Sequence, residues 1–222
     1  MALDAQALGR LLQISSASLP VGAFAYSEGL EYLVAENRIN DQASLGAWLS
    51  SLLQFGPIRI DAAIIYRIMM AVSCDDLGAI YRWDAWLVAS RESEELREQG
   101  KMMARALWRL SQALENPLRL PQPPDQYVSV YAALAAHWQL PIFEAIYAYI
   151  HSWLSNLVTA GVKLIPLGQL QGQQLIAALH EPIHSATNFA IQVRNEDLYC
   201  WTAGQSLASM GHETQYSRLY RS

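Results

Sequence analysis

The sequence predicts an all-α protein, a single globular bundle of about ten helices over residues 1–222, and three observations carry that reading. Apolar residues recur at helix-face spacing along most of the chain. Sustained two-residue alternation, the mark of a half-buried strand, is nearly absent, and Tyr127 to Tyr131 is the one short ambiguous stretch. Proline and glycine fall between the periodic runs, where they start, stop or turn helices.

The elements follow in chain order. Leu11 to Glu31 reads LLQISSASLPVGAFAYSEGLE, whose small-residue centre with Pro20 and Gly22 predicts a turn entering a helix. Tyr26, Glu28 and Glu31 are expected on that helix's opening turns. Two carboxylates there suit the helix dipole, or they face a basic partner. Asp41 precedes a run that ends near Phe55, and Gly56-Pro57 stops it. Ile60, Ile64, Ile65, Ile68, Met69 and Val72 share a helix face, and Asp76 to Leu114 reads as one or two long helices. Within the latter, Arg97, Lys101, Arg105 and Arg109 are spaced by four, with Glu94 and Glu98 in reach. That row is a solvated, salt-bridged face or a contact with a partner.

Asn116 to Asp125 (NPLRLPQPPD) holds four prolines and reads as a rigid connector between helical groups. Pro141 suits the start of the run Ile142, Phe143, Ile146, Tyr149, Ile150, Trp153, Leu154 and Leu157. In Gly161 to Gln173, Pro166 is the expected start of a helix, and Lys163 interrupts an apolar run from which its ammonium reaches solvent. The final segment, MGHETQYSRLYRS from Met210 to Ser222, concentrates tyrosine and arginine, the residue types of binding hot spots. It reads as a tail that orders on a partner.

Composition limits the function. Charged residues make up only 16% and hydrophobic ones 52%, which means a large core or apolar surface covered by a partner or a second copy. A net charge of −5 speaks against nucleic acid. No signal-peptide pattern and no apolar run long enough to span a membrane is visible, and two distant cysteines make no framework. A cytoplasmic protein is expected.

Catalytic motifs fail on their own chemistry. HEPIH (His180 to His184) matches the zinc-protease pattern H-E-x-x-H, which needs both histidines one turn apart on a helix. Pro182 is expected to start a new helix and leave His180 outside it. AYSEG (Ala25 to Gly29) lacks the first glycine of a nucleophile elbow and the strand before it. Gly100-Lys101 is followed by Met102, so no P-loop is present. No catalytic residue and no metal ligand is assigned.

Three motifs together, LLQISSASLPVGAFAYSEGLE, VKLIPLGQLQGQ and HETQYSRLYRS, resemble the UreF family of urease accessory proteins, in that order over nearly the whole chain. Tyr220 stands where the family often has Phe, and QGKMMARALWRL replaces a more usual serine-containing stretch. The resemblance implies an all-α, commonly dimeric protein without catalysis of its own. It implies binding to a UreD/UreH-type accessory protein, recruitment of the UreG-type GTPase, and GTP-dependent nickel insertion into the urease apoprotein. No cofactor is expected to stay bound; nickel is handled by the complex. A nickel-carrying chaperone, or a zinc-dependent hydrolase using HEPIH, are the alternatives. By position, the partner-binding residues it implies are His212, Glu213, Gln215, Tyr216, Arg218, Leu219 and Arg221 of the tail 210–222, together with Tyr26. Glu28, Glu31 and Lys163 are expected on the surface that meets the GTPase.

Overall fold

The computed structural model describes residues 3–222, and within them the chain forms eleven α-helices. Helix α1 (Ala5–Ile14) opens at Asp4, whose carboxylate accepts the Ala7 N–H at 2.7 Å. A short 3-10 turn (Ala23–Ala25) leads to α2 (Leu30–Ala35). Asp41 caps α3 (Gln42–Phe55) through a reciprocal box with Ser44, and Pro57, read in the sequence as part of a stop, also begins α4 (Pro57–Ser73). The span 76–114 divides into α5 (Leu77–Ser90), capped by Asp76, and α6 (Glu94–Ala113), capped by Ser93. The proline-rich connector then leads to α7 (Tyr127–His137), and Pro141 opens α8 (Ile142–Leu164). Helices α9 (Gln169–Ala178), α10 (His180–Gln192) and α11 (Ala203–Glu213) complete the chain.

Helix α4 is the hub: α3, α5, α7, α8 and α10 all pack on it. Its run from Ile58 to Met69 puts Ile60, Ile64, Ile65 and Ile68 at 3% exposure or less, and burying such side chains stabilises by about 1.5–3 kcal/mol each. Against it lies α7, buried from Val128 through Ala135 on every side. A helix apolar all round has no stripe to detect, which is why Tyr127 to Tyr131 is ambiguous by periodicity.

Three local expectations are corrected. Tyr26 and Glu28 precede α2, because Glu28 (φ 53°) and Gly29 (φ 86°) turn the chain through the left-handed region just before the helix begins. Pro166 lies ahead of α9, whose N-terminus is formed at Gly168 by the Gln171 side chain. Pro182 does not start α10: His180 does, leaving Pro182 in the first turn, where a missing N–H costs no helical bond.

One glycine explains how α6 meets α7. A Cβ on Gly100 would lie 2.2 Å from Gln126 Oε1, so the bare backbone makes room for that side chain. In an open helix Gly→Ala gains about 1 kcal/mol. Here Gly100→Ala is expected instead to lower stability by about 1–3 kcal/mol through overpacking. Adding Gln126→Ala should recover most of the loss, and urea denaturation of the two single variants and the pair measures it.

Candidate functional site

Two polar assemblies stand inside this apolar bundle, joined through α6. The first clamps the C-terminal segment onto α2 and α6. Glu31, in the first turn of α2 and only 7% exposed, accepts the Leu219 N–H at 2.7 Å and the Tyr220 N–H at 2.9 Å. His212, near the end of α11, is wholly buried between two carboxylates. Its Nε2 lies 3.3 Å from Glu31 and its Nδ1 2.7 Å from Glu95. The ring thus bridges α2 and α6. Arg218 reaches the other Glu95 oxygen at 2.6 Å. Glu213 accepts the Glu94 N–H at 2.8 Å, placing a carboxylate at the N-terminus of α6.

The last residues close the clamp. Ser222 O accepts from both the N–H (2.8 Å) and the hydroxyl (2.6 Å) of Ser27, and the Arg221 N–H donates to Ala25 O at 2.8 Å. Gly29 lets α11 approach, since a Cβ there would sit 3.0 Å from Ser209 N and 3.2 Å from Ala208 Cβ.

The second assembly lines a chamber of about 100 Å³. Asp61 and Arg91 pair on its wall at 2.8 Å, and the Tyr149 hydroxyl donates to Asp61 at 3.4 Å. Glu28 accepts from Trp153 Nε1 at 2.9 Å and from Gln99 Nε2 at 3.1 Å. Burial lifts the Glu28 carboxyl above its ordinary value, outweighing those two hydrogen bonds. It also lifts Asp61, against the pull of Arg91. Gln99 joins the two assemblies, because its Oε1 accepts the Ser222 hydroxyl at 2.8 Å.

The residues implied by the resemblance divide accordingly. His212, Glu31 and Tyr26 are buried. Glu28 lines the chamber. Glu31 is buried and Glu28 half-buried, not freely exposed as expected, and hydrogen bonds within the chain take up both carboxylates. Lys163 is exposed in the last turn of α8. In the tail, Glu213, Tyr216, Arg218, Leu219 and Arg221 are exposed and Gln215 is half-buried. The tail, expected to order on a partner, is already seated on its own chain, because Glu31 and Ser27 satisfy its backbone. Of the basic row on α6, Lys101 pairs with Glu98 at 2.9 Å, while Arg97 donates to Arg91 O at 2.8 Å.

Sequence reasoning missed Asp61, Arg91, Gln99 and Gln126. Asp61 alone left a signal, as one carboxylate inside the apolar run from Ile58 to Met70. The histidines of HEPIH share α10 after all, but their partners diverge. The His180 ring packs 5.9 Å from His151, and His184 meets Asn188 at 3.2 Å. Among the described residues no three His, Cys, Asp or Glu side chains are placed to hold a metal. Among the described residues no helix is long and apolar enough to cross a membrane.

Comparison with known proteins bears on this arrangement. The UreF family model matches residues 39–180. The chain is 45% identical to urease accessory protein UreF of Nostoc sp. (strain PCC 7120), covering 96% of this chain and 94% of that one. The chain belongs to the UreF family. UreF of Trichormus variabilis is 44% identical over 96% of the chain and 94% of its own length. For UreF of Microcystis aeruginosa the identity is 45%, over 99% and 100%. All three matches cover more of the chain than the family model does.

Two outcomes are expected. His212→Ala leaves two carboxylates facing each other across a buried gap, and should cost about 3 kcal/mol, read from the urea midpoint with helix content retained. For Glu28, the folded carboxyl sits above its unfolded value, so the folded state binds more protons and stability falls as pH rises through that window. From about pH 4.5 upward, the urea midpoint of Glu28→Gln should therefore gain on that of the native chain.

Proposed function

We propose that this chain serves urease maturation as a non-catalytic scaffold and regulator in the cytoplasm. In this reading it binds a UreD/UreH-type accessory protein and recruits the UreG-type GTPase, and the assembly delivers nickel to the urease apoprotein as GTP is hydrolysed. Nickel is the cargo, handled by the complex. Family membership along nearly the whole chain supports the pathway, since the relatives are named urease accessory proteins.

One structural observation carries the scaffold reading. The tail has a locked inner side and an open outer side within four residues. Tyr220 and Ser222 are buried while Leu219 is 79% exposed and Arg221 stands in solvent, next to a fully exposed Tyr216. A backbone fixed by Glu31, Ser27 and Ala25 holds apolar and guanidinium groups outward with little entropy left to lose on binding. That is the anatomy of a preorganised docking ridge, with tyrosine and arginine as its anchors. The UreD/UreH-type protein is assigned to it.

Other apolar side chains also stand in water. Trp201 is 80%, Tyr199 72% and Leu207 68% exposed, all within nine residues of one another along the chain. This supports a second covered face, and with it a homodimer. Lys163, exposed at the end of α8, is kept as a contact for the GTPase.

Deleting the tail is a poor test, because it strips Glu31 and Ser27 of their partners. The combined variant Tyr216→Ala, Leu219→Ala and Arg221→Ala touches only the outer side. It is expected to fold with a melting temperature close to that of the native chain. It should lose at least about tenfold in affinity for the UreD/UreH-type protein, with urease activation falling in step. Full affinity in that variant removes the ridge from the mechanism.

A further inference from the structure

The scaffold reading leaves the chamber without a use. Three features single it out. Glu28, aimed into it, is held at a backbone φ of 53°, a conformation a non-glycine residue adopts at a cost and which concentrates at functional sites. Its hydrogen-bond donors, Trp153 and Gln99, are both neutral, whereas Asp61 on the same wall has its own guanidinium in Arg91. With both carboxylates ionised, the wall carries one negative charge in excess of Arg91. The third feature is Gln126. It is fully buried on the same wall, and neither Oε1 nor Nε2 has a hydrogen-bond partner. Leaving both ends of a buried carboxamide unmet costs several kcal/mol, so a group not yet in place is the physical expectation.

The two features meet on α6. Gln99 holds Glu28, and the next residue, Gly100, gives up its side chain to let Gln126 reach the wall. An unneutralised carboxylate and an unmet carbonyl oxygen therefore flank adjacent residues of one helix. Both are hard oxygen ligands, and both line the same chamber, which has room for an ion and water.

We propose that this chamber is a binding site for a small monovalent cation, with Glu28 as its counter-charge and the Gln126 carbonyl oxygen as a further ligand. A divalent ion is disfavoured, since Asp61 is committed to Arg91 and only one carboxylate charge is left to balance. Because Gln99 bonds both Glu28 and Ser222, occupancy of the chamber is tied to the seating of the tail.

The test uses the full-length chain at constant ionic strength, with tetramethylammonium chloride, a bulky cation without N–H donors, exchanged for ammonium or rubidium chloride. The expected result is a saturable rise in melting temperature of roughly 5–10 °C at a hundredfold excess over Kd, absent in Glu28→Gln. Crystals grown in rubidium should show an anomalous peak within coordination distance of Glu28 and Gln126. A response to ammonium without rubidium density assigns the site to an N–H-donating cation; rubidium density assigns it to an alkali ion. Water alone in the chamber with no saturable shift overturns the proposal. So does a Glu28→Gln variant that keeps the full response. Failure here leaves partner binding by the tail untouched, so the two readings are separable.

Discussion

The carboxylate of Glu31 is the constraint on which the seating of the tail depends. It sits in the first turn of α2, where the dipole favours a negative charge, and it is buried under the tail it holds. Two backbone N–H groups and one imidazole converge on its two oxygens. Charge-assisted hydrogen bonds of this kind are stronger than neutral ones and are short-ranged, so they fix a segment in register. Everything the tail presents outward is set by what Glu31 holds inward.

The same economy runs through the turn before α2. Glu28 and Gly29 take left-handed conformations in succession, which swings Glu28 toward the chamber and Glu31 toward the tail. Gly29 also admits α11 at close range, so His212 can reach between α2 and α6. The strain of this turn sits beneath the two assemblies, and Gln99 bridges them from α6. The first and last of the three segments that carry the resemblance thus form one fold-back joint: the first supplies Ser27, Glu28 and Glu31, and the last supplies His212, Leu219, Tyr220 and Ser222.

Much of the bundle was legible in the sequence, and the failures have physical causes. Asp41, Gly56-Pro57 and Pro141 placed the ends of α3 and the start of α8 well, because they act locally on the backbone, and periodicity from Ile60 to Val72 found α4. Helix α7 was opaque because a helix buried on all sides carries no amphipathic signal. Pro182 misled because proline is tolerated throughout the first turn, not only at its first residue. At the site, residue types were readable but environment was not. Glu31 and His212 look like surface groups in a polar motif, and only the pairing of segments 181 residues apart makes them interior. Arg91 and Gln126 left no trace at all, since each owes its burial to helices remote in sequence.

The central claim is that the tail is part of the folded body before any partner arrives. Amide hydrogen exchange at Leu219 and Tyr220 in the isolated chain reads it most directly, since those two N–H groups donate to Glu31. The account predicts protection of at least about a hundredfold over the random-coil rate, lost when Glu31 is replaced by Gln or Ala. Exchange of both amides at the random-coil rate in the native chain would contradict it.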